Sequence, residues 1–132
     1  MLLRTHRMLK PGGRFRLIVP DLHWRAQRYV EGASSGDPLA ADRLMYSCLL
    51  GTLNRPGGIG ARLRRRFGRN AHLWMYDFAA LKLLLEEAGF VAVRRCEPGD
   101  GGDPMFALVE DRARYFDSGE RELAIEARKP AR

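Results

Sequence analysis

The feature that most constrains this chain is the run Leu-Lys-Pro-Gly-Gly-Arg-Phe-Arg-Leu-Ile-Val-Pro-Asp at residues 9–21. Pro11 cannot continue a helix, and the two glycines after it allow the positive φ that a sharp reversal needs. The nearly continuous apolar residues that follow predict a strand over 14–19, covered on both faces as in a parallel α/β sheet. Pro20 ends the ladder of this strand, so Asp21 is expected at the edge where open α/β sheets bind their ligands.

Helices are predicted on both sides of this strand. Before it, residues 2–9 share an apolar helical face. After it, Asp21 is expected to cap a helix that runs to about Glu31, with Gly32 as its stop. A further helix is predicted over about 37–51, where Asp-Pro gives an N-cap followed by proline at the first helical position.

Regular structure is expected to return near Asp77. This residue is an N-cap candidate for a helix that Gly89 ends, and Tyr76 before it can pack on Leu81 as a hydrophobic staple. Strands are predicted at 90–96 and 122–128, a short helix at 105–116 and a turn at 117–120. The sequence therefore predicts an α/β fold of about three strands with flanking helices, in a single domain over residues 1–132.

The net charge of +7 comes from one part of the chain. Six arginines and no acidic residue lie between residues 52 and 69, and the remaining residues together carry +1. This stretch has no periodicity, which predicts a long, mobile basic insertion at about 52–69. It fits either a lid over a pocket or a phosphate-contacting patch, but Phe67 alone does not make the stacking platform of a single-strand binder. The arginines are Arg55, Arg62, Arg64, Arg65, Arg66 and Arg69.

Cysteine usage and hydropathy predict a cytoplasmic protein. Cys48 and Cys96 show no CxxC spacing and no His/Cys cluster, so the sequence predicts no metal site and a reducing compartment. No apolar run approaches the roughly 20 residues that a membrane span needs. The first residues are too few and too charged for a signal peptide, so no contact with a membrane is expected.

Residues 3–13 and the strand after them resemble the middle of a class I S-adenosylmethionine-dependent methyltransferase. In that family a helix after strand four leads through a Leu-Lys-Pro-Gly-Gly turn into strand five. Residues 77–90, ending in Leu-Leu-Glu-Glu-Ala-Gly-Phe, are similar to the last helix of the family, which feeds strand six. Residues 122–130 are similar to strand seven, which lies antiparallel between strands five and six. The resemblance implies the C-terminal part of a Rossmann-like sheet, in a truncated domain that begins inside the helix before strand five.

The resemblance also implies where S-adenosylmethionine binds. In the family the cofactor is held mainly by the first half of the domain, through a glycine-rich turn after strand one and an acidic residue that closes strand two. Neither is found in this chain, so its cofactor site is expected elsewhere and the isolated chain is expected not to methylate. The Pro-Gly-Gly turn at 11–13 precedes its strand, and the glycines at 56–60 follow no strand and lack the GxGxxG spacing.

The resemblance assigns to this chain the side of the domain that faces a small or sugar-like methyl acceptor. The implied substrate-binding residues are Asp21, His23, Trp24, His72, Tyr76 and Asp77. His23 and His72 are the candidates for a general base, because methyl transfer releases a proton and histidine titrates near neutrality. Structural roles stay open beside these, with Asp21 and Asp77 as N-caps and Tyr76 as a staple.

The resemblance leaves strand 14–19 without its neighbour, strand four. The exposed edge is expected to be covered by a second copy of the chain, by a separate chain that carries the missing half, or by rearranged local segments. The alternative to an enzyme is a binding module, either a non-catalytic partner subunit or a basic nucleic-acid-contacting module.

Overall fold

Helices and strands alternate along residues 1–48, 74–117 and 119–131, which the computed structural model describes. The helices are α1 Leu2–Met8, α2 Leu22–Ser34, α3 Ala40–Ser47, α4 Phe78–Glu87 and α5 Phe106–Val109, with a 3-10 helix at Arg112–Tyr115. The strands are β1 Arg14–Pro20, β2 Val91–Arg95, β3 Phe116–Asp117 and β4 Glu120–Arg128. Two compact units are distinguished, residues 1–23 with 76–132 and residues 24–75. The insertion predicted at 52–69 lies outside the described residues.

The first unit has an α/β fold. Its sheet is antiparallel, and β4 occupies the middle position. β4 runs antiparallel to both neighbours, from Arg14 opposite Arg128 to Pro20 opposite Glu122 on the β1 side. β1 and β2 are therefore parallel to each other. The predicted strands at 14–19, 90–96 and 122–128, and the antiparallel middle position of the last, are confirmed.

One face of the sheet carries the apolar core. β1 contributes alternate residues to this face, as the period of two in a strand requires. They pack against a buried cluster from α4, β4 and the start of β2, and Leu2 and Leu9 beside α1 pack on the same cluster. The β1 residues are Phe15, Leu17 and Val19, and the buried cluster is Leu81, Leu85, Ala88, Phe90, Leu123, Ile125 and Ala127.

The other face of the sheet is charged. Arg14 and Arg16 of β1 alternate with the apolar residues, and Glu126 of β4 lies directly opposite Arg16. All seven residues of β1 are half-buried, as expected for a strand with both faces covered. The sequence analysis did not predict that ionic groups would share one of those faces with a small apolar cluster, which consists of Ile18, Cys96, Tyr115 and Ala124.

The helix α4 begins and ends where its sequence signals place it. The carboxylate of Asp77 accepts a hydrogen bond from the Ala80 amide at 2.8 Å, which is the geometry of an N-cap. At the other end Gly89 has φ +94°, and the Phe90 amide donates to the Leu85 carbonyl at 3.0 Å. This is a Schellman motif, so both predicted caps are confirmed.

The predicted end of α2 at Gly32 is wrong. The helix continues to Ser34 and closes at Gly36, whose φ is +76°, with the Asp37 amide bonded to the Gly32 carbonyl at 3.0 Å. Gly32 does not end the helix. It leaves room for α3, because a Cβ at this position would lie 3.0 Å from Cβ of Ala40. This contact lies within the second unit, which contains α3 and the part of α2 from Trp24 onward.

The helix predicted over 105–116 is also wrong. The segment forms the four-residue α5 and the separate 3-10 helix, and its last residue belongs to β3. Glu110 between the two helices is extended, with ψ 123°. The turn predicted after it is a hairpin in which Phe116 pairs with Arg121 and Gly119 takes φ +85°. Only glycine takes that left-handed conformation at little cost, which explains the tight reversal.

Within the described residues, no helix combines the length and apolar character that crossing a membrane requires.

Candidate functional site

The carboxyl ends of β1 and β2 lie at the same end of the sheet, because β4 is antiparallel to both. At this end Asp21 forms an isolated parallel bridge with Tyr76. The Leu22 amide donates to the Tyr76 carbonyl at 3.1 Å. The backbone therefore joins two regions that the sequence singled out separately, the residues after β1 and those before α4.

Asp21 is buried at this edge and has two kinds of partner. Its Oδ1 accepts a hydrogen bond from the His23 amide at 2.9 Å, which caps α2 as expected. Its Oδ2 lies 3.2 Å from Nη1 of Arg95 at the end of β2. Only 3% of Asp21 is exposed, so this carboxylate ties the first turn of α2 to the neighbouring parallel strand.

Arg95 is a residue that the sequence analysis missed. Its guanidinium carbon lies 5.1 Å from the centre of the Phe78 ring, in the first turn of α4, while Nη1 contacts Asp21. A cation on an aromatic face and an ion pair together fix the plane of the guanidinium. Arg95 lies near the end of the strand predicted at 90–96, but its place beside Asp21 depends on the order of the strands and not on a local signal.

The two residues before α4 have structural partners at this edge. Asp77 caps the helix, as described above, and Tyr76 packs on the core cluster that contains Leu81. The staple prediction for Tyr76 agrees with that contact. Both residues remain half-buried, so part of each still faces the solvent at the carboxyl end of the sheet.

Of the two histidine candidates, only His23 lies among the described residues. His23 lies in the first turn of α2, exposed, with its amide held by Asp21. Trp24 follows it and is half-buried, in the second unit. His72 lies outside the described residues. In the first unit, the described part of the predicted site is therefore Asp21, His23, Tyr76 and Asp77 at one edge, with Arg95 added by the structure.

A second group of ionisable side chains lies on the charged face of the sheet. Nη1 of Arg14 is 2.8 Å from Oε1 of Glu126, and Nη2 of Arg94 is 3.3 Å from the same oxygen. Glu126 is 2% exposed and is held between these two arginines, with Arg16 directly opposite on β1. We call the three arginines and Glu126 the arginine cluster.

The loop after β2 closes over the arginine cluster. Asp100 lies 2.9 Å from both Arg16 and Arg94, and Nη1 of Arg16 lies 2.5 Å from Glu110. The glycines of this loop allow the approach, because a Cβ at Gly101 would lie 2.6 Å from Arg16. Three arginines meet three carboxylates here, so the cluster is electrically balanced, although buried atoms such as Nε of Arg16 and Oε2 of Glu126 make no hydrogen bond with a described residue.

Burial shifts the pKa of several groups around Arg16. Burial, and then the hydrogen bond that Tyr115 donates to Glu110 at 2.9 Å, raise the pKa of Tyr115 to about 12. Burial likewise raises the pKa of the Cys96 thiol, against the opposing effect of Arg16. For Asp100, burial acts to raise the pKa, but the hydrogen bond from Arg94, the backbone hydrogen bond at Glu97 and the charges of Arg94 and Arg16 together outweigh it, so the pKa is lowered. These shifts describe a closed structural network.

The arginine cluster also had a sequence signal. Arg14 and Arg16 have the period of two of a strand, and so do Glu122 and Glu126 in the last strand. Opposite charges at that period in two adjacent strands predict one ionic face.

No group of three or more His, Cys, Asp or Glu side chains that could hold a metal ion occurs in the part of the chain that the structure describes. No family model matches the sequence, and neither the curated proteins nor the solved structures contain a significant match.

Proposed function

We propose that these residues form the acceptor-facing part of a S-adenosylmethionine-dependent methyltransferase domain with Rossmann-like topology. The observation that carries the proposal is the strand order, in which an antiparallel last strand separates two parallel strands. This is the arrangement that the resemblance implied for strands five, seven and six. The acceptor is a small or sugar-like molecule with a hydroxyl or amine.

The edge at the carboxyl ends of β1 and β2 supports that assignment. His23 is exposed there, and the capping bond to Asp21 fixes the backbone from which its side chain extends. In the proposed reaction the imidazole of His23 accepts the proton that the methyl acceptor releases. Asp21 and Arg95 hold the first turn of α2 in place, and Tyr76 and Asp77 line the other side of the acceptor site.

Among the described residues, the glycine turn at 11–13 does not fit the cofactor. The turn at Gly12 and Gly13 lies at the amino end of β1, opposite to the edge that carries Asp21. Its amides are already bonded, Gly12 to the Pro130 carbonyl at 3.1 Å and Gly13 to the Lys10 carbonyl at 2.9 Å. They are not available to cradle a nucleotide. The proposal therefore assigns cofactor binding to residues outside these 132.

The test compares this chain with a version extended by any in-frame coding sequence found upstream of Met1 in its gene. The extended protein should release S-adenosylhomocysteine from S-adenosylmethionine in the presence of a mixture of small hydroxyl and amine acceptors. In it, His23→Gln should lower kcat/KM by roughly 100-fold, the usual size of a general-base effect, and should leave the affinity for S-adenosylhomocysteine unchanged. An extended protein that binds S-adenosylhomocysteine but responds to neither acceptors nor His23→Gln would contradict the role of this edge.

A non-catalytic partner subunit is the second candidate, and one observation favours it. β1 ends the sheet order, and apart from the Asp21–Tyr76 bridge just after it no described residue pairs with its outer edge, so a polypeptide can add to the sheet there without any chemistry. The nucleic-acid alternative depends on the arginines at 55–69, which lie outside the described residues.

A further inference from the structure

A pocket of about 540 Å³ lies among α1, β1 and α4, and all of the residues that line it belong to the first unit. Leucine, valine, alanine and methionine side chains make up the lining, together with Tyr76 and Glu87. Proteins bind small molecules in concave, mostly apolar pockets of roughly 300–1,000 Å³ that carry a few polar groups. The volume and lining of this pocket are therefore those of a small-molecule site.

The inner wall of the pocket belongs to the apolar core of the sheet. Leu81 and Ala88 line the pocket and are buried members of the core cluster. Leu17 and Val19 of β1 also line it, and both pack against the same cluster. The core holds these side chains in place, so little conformational freedom is lost there when a ligand binds.

The outer part of the lining is apolar as well, although it is open to solvent. Leu3 of α1 lines the pocket and is 59% exposed. Water in such an apolar space finds few hydrogen-bond partners, so an apolar molecule that displaces it lowers the free energy. The lining therefore favours a ligand with an apolar body.

Glu87 determines the charge that such a ligand should carry. Its carboxylate is the single charged side chain among the lining residues, and it makes no ion pair or hydrogen bond with another described residue. Glu87 is also the last residue of α4, and the carboxyl end of a helix carries a partial negative charge that favours cations. Both effects attract a positively charged group to this side of the pocket.

We propose that this pocket binds a small amphipathic amine. The apolar body of the amine lies against Leu17 and Val19, and its ammonium group lies beside the carboxylate of Glu87. This inference does not rest on methyl transfer, because it uses only the volume, the lining and the charge of the pocket.

The experiment measures binding of three synthetic probes to the full 132-residue chain by isothermal titration calorimetry at pH 7. The probes are 4-(biphenyl-4-yl)butylamine, the corresponding alcohol and the corresponding carboxylic acid, so their apolar bodies are the same and their charges differ. The amine should bind at one site, about fivefold more tightly than the alcohol and about tenfold more tightly than the acid, as expected for one partly exposed ion pair. In methyl NMR spectra the resonances of Leu17 and Val19 should shift on binding, which places the amine in this pocket.

A pair of glutamate variants tests the charge. Glu87→Gln should remove the preference for the amine over the acid and leave the affinity for the alcohol unchanged. The control is Glu86→Gln on the same helix, at an exposed residue that contacts Lys82 and does not line the pocket. It should keep the preference for the amine.

A pair of leucine variants tests the place of binding. Leu3→Trp puts a larger side chain into the lining and should weaken all three probes by about tenfold. Leu83→Trp is the control, since Leu83 is 56% exposed on α4 and does not line the pocket. Both leucines are largely exposed, so the fold should tolerate the two changes.

Three results would overturn the proposal. One is equal or absent binding of the amine and the acid. Another is binding that Leu3→Trp weakens no more than Leu83→Trp does, which would place the probes elsewhere on the protein. The last is a dimer in sedimentation whose interface shields the methyl groups of Leu17 and Val19 without any probe, which would identify a second copy of the chain as the occupant.

Discussion

The Nη1 atom of Arg14 lies 2.8 Å from the Oε1 atom of Glu126, and this contact joins adjacent strands on the charged face of the sheet. Glu126 is almost fully buried, whereas Arg14 keeps a quarter of its side chain exposed. Arg94 reaches the same carboxylate from the opposite strand. One buried carboxylate therefore balances arginines from both of its neighbours in the sheet.

Replacing Glu126 should destabilise the fold. Glu126→Gln keeps the size of the side chain but leaves Arg16, itself 7% exposed, with one fewer counter-charge in a buried setting. Removal of one partner from a buried ion pair costs about 3 kcal/mol or more, and we expect roughly that loss in the free energy of unfolding in urea. Glu86→Gln, which removes an exposed contact with Lys82, should cost less than about 0.5 kcal/mol. Equal costs for the two variants would show that the arginine cluster does not stabilise the sheet.

Two glycines with positive φ should respond differently to alanine. Gly12→Ala introduces backbone strain alone, since a Cβ there meets no atom within 4 Å, and should cost about 1 kcal/mol. Gly89→Ala adds a contact of 3.2 Å with Nε2 of His6 to the same strain, so it should cost more. Urea unfolding of both variants measures the difference. A Gly89→Ala variant no less stable than Gly12→Ala would mean that α1 does not pack against the end of α4 in this way.

The stability of the protein should fall between pH 10 and 12 because of Tyr115. Its folded pKa is raised to about 12 from 10.0, so the unfolded chain releases this proton first as the pH rises. The stabilising contribution is complete below pH 10 and is lost as the pH approaches 12. Tyr115→Phe should reduce the slope of stability against pH in this window. Part of the slope should remain, because the pKa of Cys96 is also raised. Tyr46→Phe, at an exposed tyrosine, is the control and should leave the slope unchanged.

The two capping aspartates should differ in cost when they are replaced. Asp77→Ala removes one capping bond to the Ala80 amide and should cost about 1 kcal/mol. Asp21→Ala also removes the contact with Arg95 from a buried position, so its cost should be larger. Thermal unfolding of both variants tests this order. The double variant Asp21→Ala with Arg95→Ala should recover part of the loss, and no recovery would argue against the ion pair.

The sheet could be predicted from the sequence because its signals are local. Leu17 and Val19 lie within one apolar run between turn residues, and Asp77 and Gly89 mark the ends of a helix by capping chemistry that involves only neighbouring residues. The order of the strands is not local, and it came from the resemblance. The bridge between Asp21 and Tyr76 is not local either, since it joins the ends of distant segments.

What the sequence did not predict depends on contacts between distant residues. Gly32 carries the signal of a helix stop, yet its size is required by Ala40 and the helix closes at Gly36 instead. Arg16 sits in a run that reads as apolar, and only its register opposite Glu126 shows why a charge is stable there. Arg95 joins the candidate site because β2 ends beside Asp21, which no spacing in the sequence indicates.

The most direct test of the proposed function is a calorimetric titration of S-adenosylhomocysteine into two proteins, the 132-residue chain and the version extended at its amino terminus. The account predicts saturable binding at one site in the extended protein and no binding to the 132-residue chain, since the amides of Gly12 and Gly13 are already bonded. Saturable binding to the 132-residue chain alone would contradict the assignment of the cofactor site to other residues. An extended protein that does not bind would contradict the methyltransferase proposal itself.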